Sequence, residues 1–151
     1  MQQMIIRSSR ESRMRGLVFV LLVAVASAKK FWQCEWAQVL RDHGMDGFNG
    51  VSLANWLCLT WEESKYDTSA NPTNRDGSSD YGIFQINSYY WCDDGTDSHN
   101  DCGVRCSDLL SDDVTAAINC AKLIVRRQGL RAWYGWTDRC ANRDLSRFSG
   151  C

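Results

Sequence analysis

CLTWEESKYDTSANPTNRDGSSDYGIFQINSYYWC, running from Cys58 to Cys92, carries a helix-like start, two candidate carboxylates, a turn-rich middle and an aromatic end between two cysteines. The carboxylates are Glu63 and Asp80, and the segment between them is rich in Asn, Ser, Thr and Gly around the chain's only proline, Pro72. Upstream, Ser52 is a good N-cap for a helix from Leu53 to about Glu63, with Ala54, Leu57 and Trp61 as apolar positions. Glu63 then sits in the last turn, where the negative end of the helix dipole disfavours ionisation. Trp61 and other apolar neighbours are expected to raise its pKa further by desolvation. Downstream, Asn74-Arg75-Asp76-Gly77 carries the Asp-Gly pair that favours a tight hairpin turn. The run Ser79 to Asn87, with Tyr81, Ile83 and Phe84, predicts a strand that Gly82 interrupts. Asp80 starts that strand beside Ser78 and Ser79, a polar setting in which it is expected to stay ionised at neutral pH. Two acids on different local structures, with turns between them, can face each other across a groove.

The flanks read as the scaffold of that groove. Trp32, Trp36, Ala37 and Leu40 recur at helical spacing from Trp32 to His43, and Gly44 stops the helix. Met45 to Val51 is a glycine-punctuated loop, and Asp93 to Cys106 is acidic and irregular. From Ser111 to Arg127, Val114, Ala117, Ile118, Ala121, Ile124 and Val125 form a long apolar stripe, predicting a buried central helix that Gly129 ends. Leu130 to Cys140 predicts a short helix with Trp133 and Trp136 three residues apart. The fold class is therefore α+β: a helical lobe with a small antiparallel β-hairpin lobe inserted between helices, and the cleft between the two.

The chain has 151 residues, a one-domain length. Leu17 to Ala28 is a short apolar run preceded by Arg13 and Arg15 and closed by Ala26-Ser27-Ala28, the pattern of a cleaved secretory signal. It is shorter than the about 20 residues a bilayer span requires. Residues 1–28 are expected to be removed, with Met1 and Met14 both possible initiators, leaving 29–151 as one domain in an extracellular setting. That part holds 13 basic and 17 acidic residues, a net charge near −4, which argues against nucleic acid or an anionic membrane as a stable partner. All 8 cysteines lie in it, and an even count behind a signal reads as four disulfides. Spacing alone leaves the connectivity open. A zinc site is disfavoured, because no CxxC pair exists and His43 and His99 lie apart.

Two carboxyls in contrasting environments suit glycoside hydrolysis, in which a protonated acid donates to the leaving oxygen and an ionised partner attacks or stabilises the sugar cation. Apolar burial at a helix end fits Glu63 to the first role, and a polar strand fits Asp80 to the second. The block E-S-x-Y-x-T at Glu63 to Thr68, then D-G-S-S-D-Y-G-I-F-Q-I-N-S at Asp76 to Ser88, then Y-W-C at Tyr90 to Cys92, resembles animal (C-type) lysozyme. The cysteine ladder matches over the whole of 29–151, with small length differences after Cys92 and Cys120. Lysozyme is itself the type case of the two-carboxylate mechanism.

The resemblance implies Glu63 as general acid and Asp80 as second carboxylate, with Glu62 pointing about 100° away on the helix. It implies Trp133 as the tryptophan packed against the acid, and Gln85, Asn87, Tyr90 and Trp91 as residues lining the sugar cleft. Trp56 and Trp136 read as core. It also implies the disulfides Cys34–Cys151, Cys58–Cys140, Cys92–Cys106 and Cys102–Cys120, no cofactor or metal, a monomer, and peptidoglycan or chito-oligosaccharide as substrate. Three departures stand out. Pro72 falls where the family often has Asn beside the lower cleft, and Arg126 and Arg127 fall near an outer-site acid. The acidic balance predicts weaker bacteriolysis at physiological salt than basic members show. A calcium-binding modifier like α-lactalbumin is disfavoured because the corresponding positions read Ser111, Asp113, Ala116 and Ala117. The alternative kept open is a glycan-binding lysozyme-like protein that does not cleave.

Overall fold

The computed structural model describes residues 27–151; the predicted signal segment, 1–28, lies outside them except for Ser27 and Ala28. The first helix, α1, spans Gln33–Asp42 and buries Trp36, Ala37 and Leu40. Trp32, counted in the same stripe from sequence, precedes the helix and is 83% exposed. The second, α2, spans Leu53–Ser64, and Ser52 Oγ accepts from Asn55 N at its start, as predicted. The helix stops where Lys65 and Tyr66 both take positive φ. Thr60 fastens the pair, accepting from Trp36 Nε1 at 2.9 Å and donating to Trp56 O at 2.8 Å.

The β lobe corrects the single strand expected over Ser79 to Asn87. That run folds back on itself into β1 (Asp80–Tyr81) and antiparallel β2 (Ile86–Asn87), with Asp80 opposite Asn87 and Tyr81 opposite Ile86. The reversal lies at Gly82–Gln85, where Gln85 N donates to Gly82 O at 3.0 Å. Gly82 has φ +77°, and a Cβ on it would sit 2.0 Å from the carbonyl oxygen of Leu109. Only glycine satisfies both demands, so the residue read as an interruption is the start of the turn. The Asp-Gly turn also forms: Gly77 N donates to Asn74 O, and Thr73 bridges Ser79.

The central helix α3 spans Thr115–Gln128, starting four residues later than predicted. Ser111 Oγ accepts from Asp113 N and Asp113 Oδ1 accepts from Thr115 N, so local side-chain bonds compete with helix in that stretch. The predicted helix Leu130 to Cys140 is split as well. A single 3₁₀ turn, Leu130–Ala132, is followed by extended Trp133 (φ −105°, ψ 114°) and then by α4, Tyr134–Arg139. The split lets Trp133 donate its indole N–H to Phe84 O at 2.8 Å from within the core.

Phe84, at the tip of the β1–β2 turn, is fully buried among Trp36 and Trp56, with ring centroids 5.8 and 6.2 Å away. Trp56 in turn meets Trp133 edge-on at 6.2 Å. One aromatic core thus spans both lobes. Four disulfides close the molecule with the pairing the resemblance implied: Cys34–Cys151, Cys58–Cys140, Cys92–Cys106 and Cys102–Cys120.

Candidate active site

Glu63 occupies the last turn of α2, partly buried beneath the start of α4. Its Oε1 accepts from the Gly135 amide at 3.0 Å. A Cβ on Gly135 would lie 2.6 Å from that same oxygen, so a residue without a side chain is what lets α4 approach the acid. Burial raises the Glu63 pKa from 4.5 to about 7; the Gly135 amide opposes this, and the charges of Asp80 and Glu62 reinforce it. Trp61, named among the apolar neighbours expected to desolvate it, packs on Tyr66, with ring centroids 5.3 Å apart.

Asp80 stands at the start of β1, as predicted, in a different setting. Its Oδ1 accepts from Asn87 Nδ2 at 2.9 Å and its Oδ2 from Asn74 Nδ2 at 3.1 Å. Both amides also reach Ser78 Oγ, at 2.9 and 3.1 Å, so the carboxylate is cradled by residues from three positions of the hairpin. Antiparallel pairing explains Asn87, which lies directly across from Asp80. Asn74 and Gly135 escaped the sequence reading of the site. Asn74 had a visible signal, as an amide one turn away from Asp80. Gly135 had a weaker one, a glycine inside a helix with no turn to justify it.

The other predicted positions divide. Asn87 is at the site. Gln85 lies in the adjacent turn, where its amide nitrogen donates to Ala70 O at 2.9 Å and Gly82 O at 2.8 Å, holding the hairpin's shape. Trp133 is buried two residues before Gly135. Trp91 is buried too, at 7% exposure, whereas Tyr90 is 52% exposed and free to offer a face. Tyr90 stacks parallel to His99 at 6.0 Å and meets Tyr89 edge-on at 4.7 Å, a cluster not foreseen from sequence. Nearby, Asp101 N donates to Tyr90 O, and the Asp101 carboxylate pairs with Arg127. Burial that lifts one carboxyl to about 7 and a polar cradle of two amide donors around the other give the two acids contrasting settings.

A family model described as the C-type lysozyme/alpha-lactalbumin family matches residues 29–151. A Lysozyme C from Takifugu rubripes is 57% identical over 137 residues, covering 89% of this chain and 96% of that protein. A Lysozyme C from Scophthalmus maximus is 53% identical over 141 residues, covering 91% and 99%. Lysozyme C-1 from Mus musculus is 55% identical over 136 residues, covering 87% and 92%.

Proposed function

The chain belongs to the C-type lysozyme/alpha-lactalbumin family, and from that premise we propose a muramidase in which Glu63 is the general acid and Asp80 the second carboxylate. It is a glycoside hydrolase of the lysozyme kind, and its substrate is a glycan. The finer reading is the β-1,4 bond between N-acetylmuramic acid and N-acetylglucosamine in peptidoglycan, cleaved outside the cell by a monomer after removal of residues 1–28. The observation that carries it is the contrast between the two carboxyls: Glu63 lifted to about 7 by burial against Gly135, Asp80 bonded by Asn74 and Asn87.

The steps follow from these placements. Glu63 donates its proton to the glycosidic oxygen as the bond to the anomeric carbon breaks. Asp80 attacks that carbon from the opposite face, and the two Asn amides keep its oxygens aimed. Ionised Glu63 then takes a proton from water, whose oxygen displaces Asp80, and the starting configuration is retained. No cofactor enters. Asn87 and Tyr90 line the sugar path, and Gln85, Trp91 and Trp133 hold its walls in shape.

Clearing of a Gram-positive cell-wall suspension tests this reading, comparing the protein from Lys29 onward with its Glu63→Gln variant. We expect lysis by the first and a loss of about 100-fold or more in the second. A folded parent that binds chito-oligosaccharide without lysing walls would instead make this a glycan-binding protein.

A further inference from the structure

Each of the two carboxyls starts a hydrogen-bonded path away from the site, and the two paths meet again at one end of the groove. From Asp80 the path crosses to Asn87, whose backbone oxygen accepts from Trp91 N at 3.1 Å. The carbonyls of Tyr89, Tyr90 and Trp91 then accept from the amides of His99, Asp101 and Cys102, each at 3.0 Å. Asp101 is thus fixed beside exposed Tyr90 on the hairpin wall. From Glu63 the other path crosses to Gly135 in α4 and runs back along the chain. Trp133 N donates to Leu130 O, Ala132 N to Gly129 O and Gly129 N to Val125 O, which leads to Arg127 in the last turn of α3.

There the Arg127 guanidinium and the Asp101 carboxylate join the two walls as an ion pair. The other two ion pairs among the described residues, Lys29–Glu35 and Glu62–Lys65, link near neighbours in sequence. One residue on from Asp101, and about two helical turns before Arg127, the Cys102–Cys120 disulfide ties the same walls covalently. The ion pair is therefore not needed to hold them. Its side chains remain 49% and 40% exposed, so solvent screens the attraction and the pair opens easily. A sugar chain that ends at Tyr90 does not meet it. A chain that runs on past Tyr90 does, because the pair connects the walls between which that chain lies.

We propose that Asp101 and Arg127 are specificity-determining residues, whose ion pair bars the Tyr90 end of the groove and sets the length of glycan used best. The proposal rests on the muramidase reading. Short chains occupy the groove between Tyr90 and the two carboxyls. Longer ones must part the pair before their end sugar is seated. Neither side chain touches Glu63 or Asp80, so removing the pair changes length preference and leaves the bond-breaking step alone.

The test measures kcat/KM on the N-acetylglucosamine tetramer and hexamer for the parent, Asp101→Ala, Arg127→Ala and the double variant. The hexamer-to-tetramer ratio should rise about three-fold in either single variant, on the scale of one exposed ion pair. It should rise no further in the double variant, because either change alone opens the bar. Added salt should raise the parent's ratio and leave the variants' ratios flat. Thermal midpoints should stay within about 2 °C of one another, since the disulfide holds the walls. A ratio that keeps the parent's value in both single variants overturns the proposal. So does a ratio that falls, because the pair then holds the outer sugar rather than excluding it, and so do single effects that multiply in the double variant. A parent that cleaves neither oligomer fails the muramidase reading instead, and the hexamer-to-tetramer affinity ratio of the same four proteins then decides the bar, with the same rise expected.

Discussion

At Glu63 two opposing influences act on one proton. Burial disfavours the charged form, while the Gly135 amide favours it, and burial wins to give a pKa of about 7. Activity that needs the protonated acid should therefore fall as pH rises through about 7, and Glu63 is the group to watch in a pH–rate profile. The same displacement has a stability sign. A carboxyl whose folded value lies above its ordinary 4.5 contributes stability fully below 4.5 and loses it as pH climbs through about 7, a span worth about 3 kcal/mol. Glu63→Gln does not titrate and its Oε1 can still accept from Gly135. Its stability relative to the parent should therefore rise by up to about 3 kcal/mol between pH near 4 and pH near 9. Denaturant unfolding of both proteins at the two pH values measures this, and a constant difference would mean Glu63 is not desolvated. Gly135→Ala isolates position from charge. Its Cβ must displace a flexible carboxyl end 2.6 Å away, so lysis should drop by about 10- to 100-fold. The alanine also suits a helix better, so the melting temperature should hold or rise. Parallel losses of both activity and stability would count against this assignment.

Individual elements were legible wherever local chemistry decided them. Ser52 capping α2, the stop at Gly129 and the Asp-Gly turn are all settled within a few residues, and each forms as read. The errors fall where distant residues decide. Nothing local in Ser79 to Asn87 says that Phe84 must reach a pocket between Trp36 and Trp56, yet that burial turns one strand into a hairpin. The break at Trp133 has the same cause, an indole drawn to Phe84 O across the lobe boundary. Of the site, Glu63 and Asp80 were readable as contrasting carboxyls, whereas Gly135 becomes meaningful only once α4 lies over α2. The hairpin's dependence on Gly82 is open to measurement against a neighbouring control. Gly82→Ala places a Cβ 2.0 Å from a backbone oxygen at φ +77°, and should destabilise by about 3 kcal/mol or more. Gly77→Ala meets nothing within 4 Å at φ +87° and should lose only about 1–2 kcal/mol. Equal losses in urea unfolding would show that the Leu109 contact yields freely.

For the molecule as a whole, the crosslinks separate stability from activity. Cys34–Cys151 joins residues 117 apart and Cys58–Cys140 residues 82 apart. Loop entropy grows only with the logarithm of length, so either bond should contribute about 4–5 kcal/mol through the unfolded chain. Their surroundings differ. Cys34 lies in α1 and Cys151 is the last residue, where Gln33 Nε2 also reaches Arg147 O to hold the tail. Cys58 lies in α2 and Cys140 directly follows α4, so this bond clamps together the two helices whose contact holds Glu63 against Gly135. Replacing Cys34 and Cys151 by alanine should lower the melting temperature steeply yet leave the lysis rate per folded molecule in the cold within about two-fold. Replacing Cys58 and Cys140 should cost a similar amount of stability and also reduce lysis about ten-fold or more, because a shift near 1 Å at the acid is enough. The decisive quantity is activity normalised to folded protein. If the two double variants lose activity equally, the α2–α4 contact is held by the core alone, and the aromatic packing of Trp56 on Trp133 and Phe84 becomes the element that positions the acid.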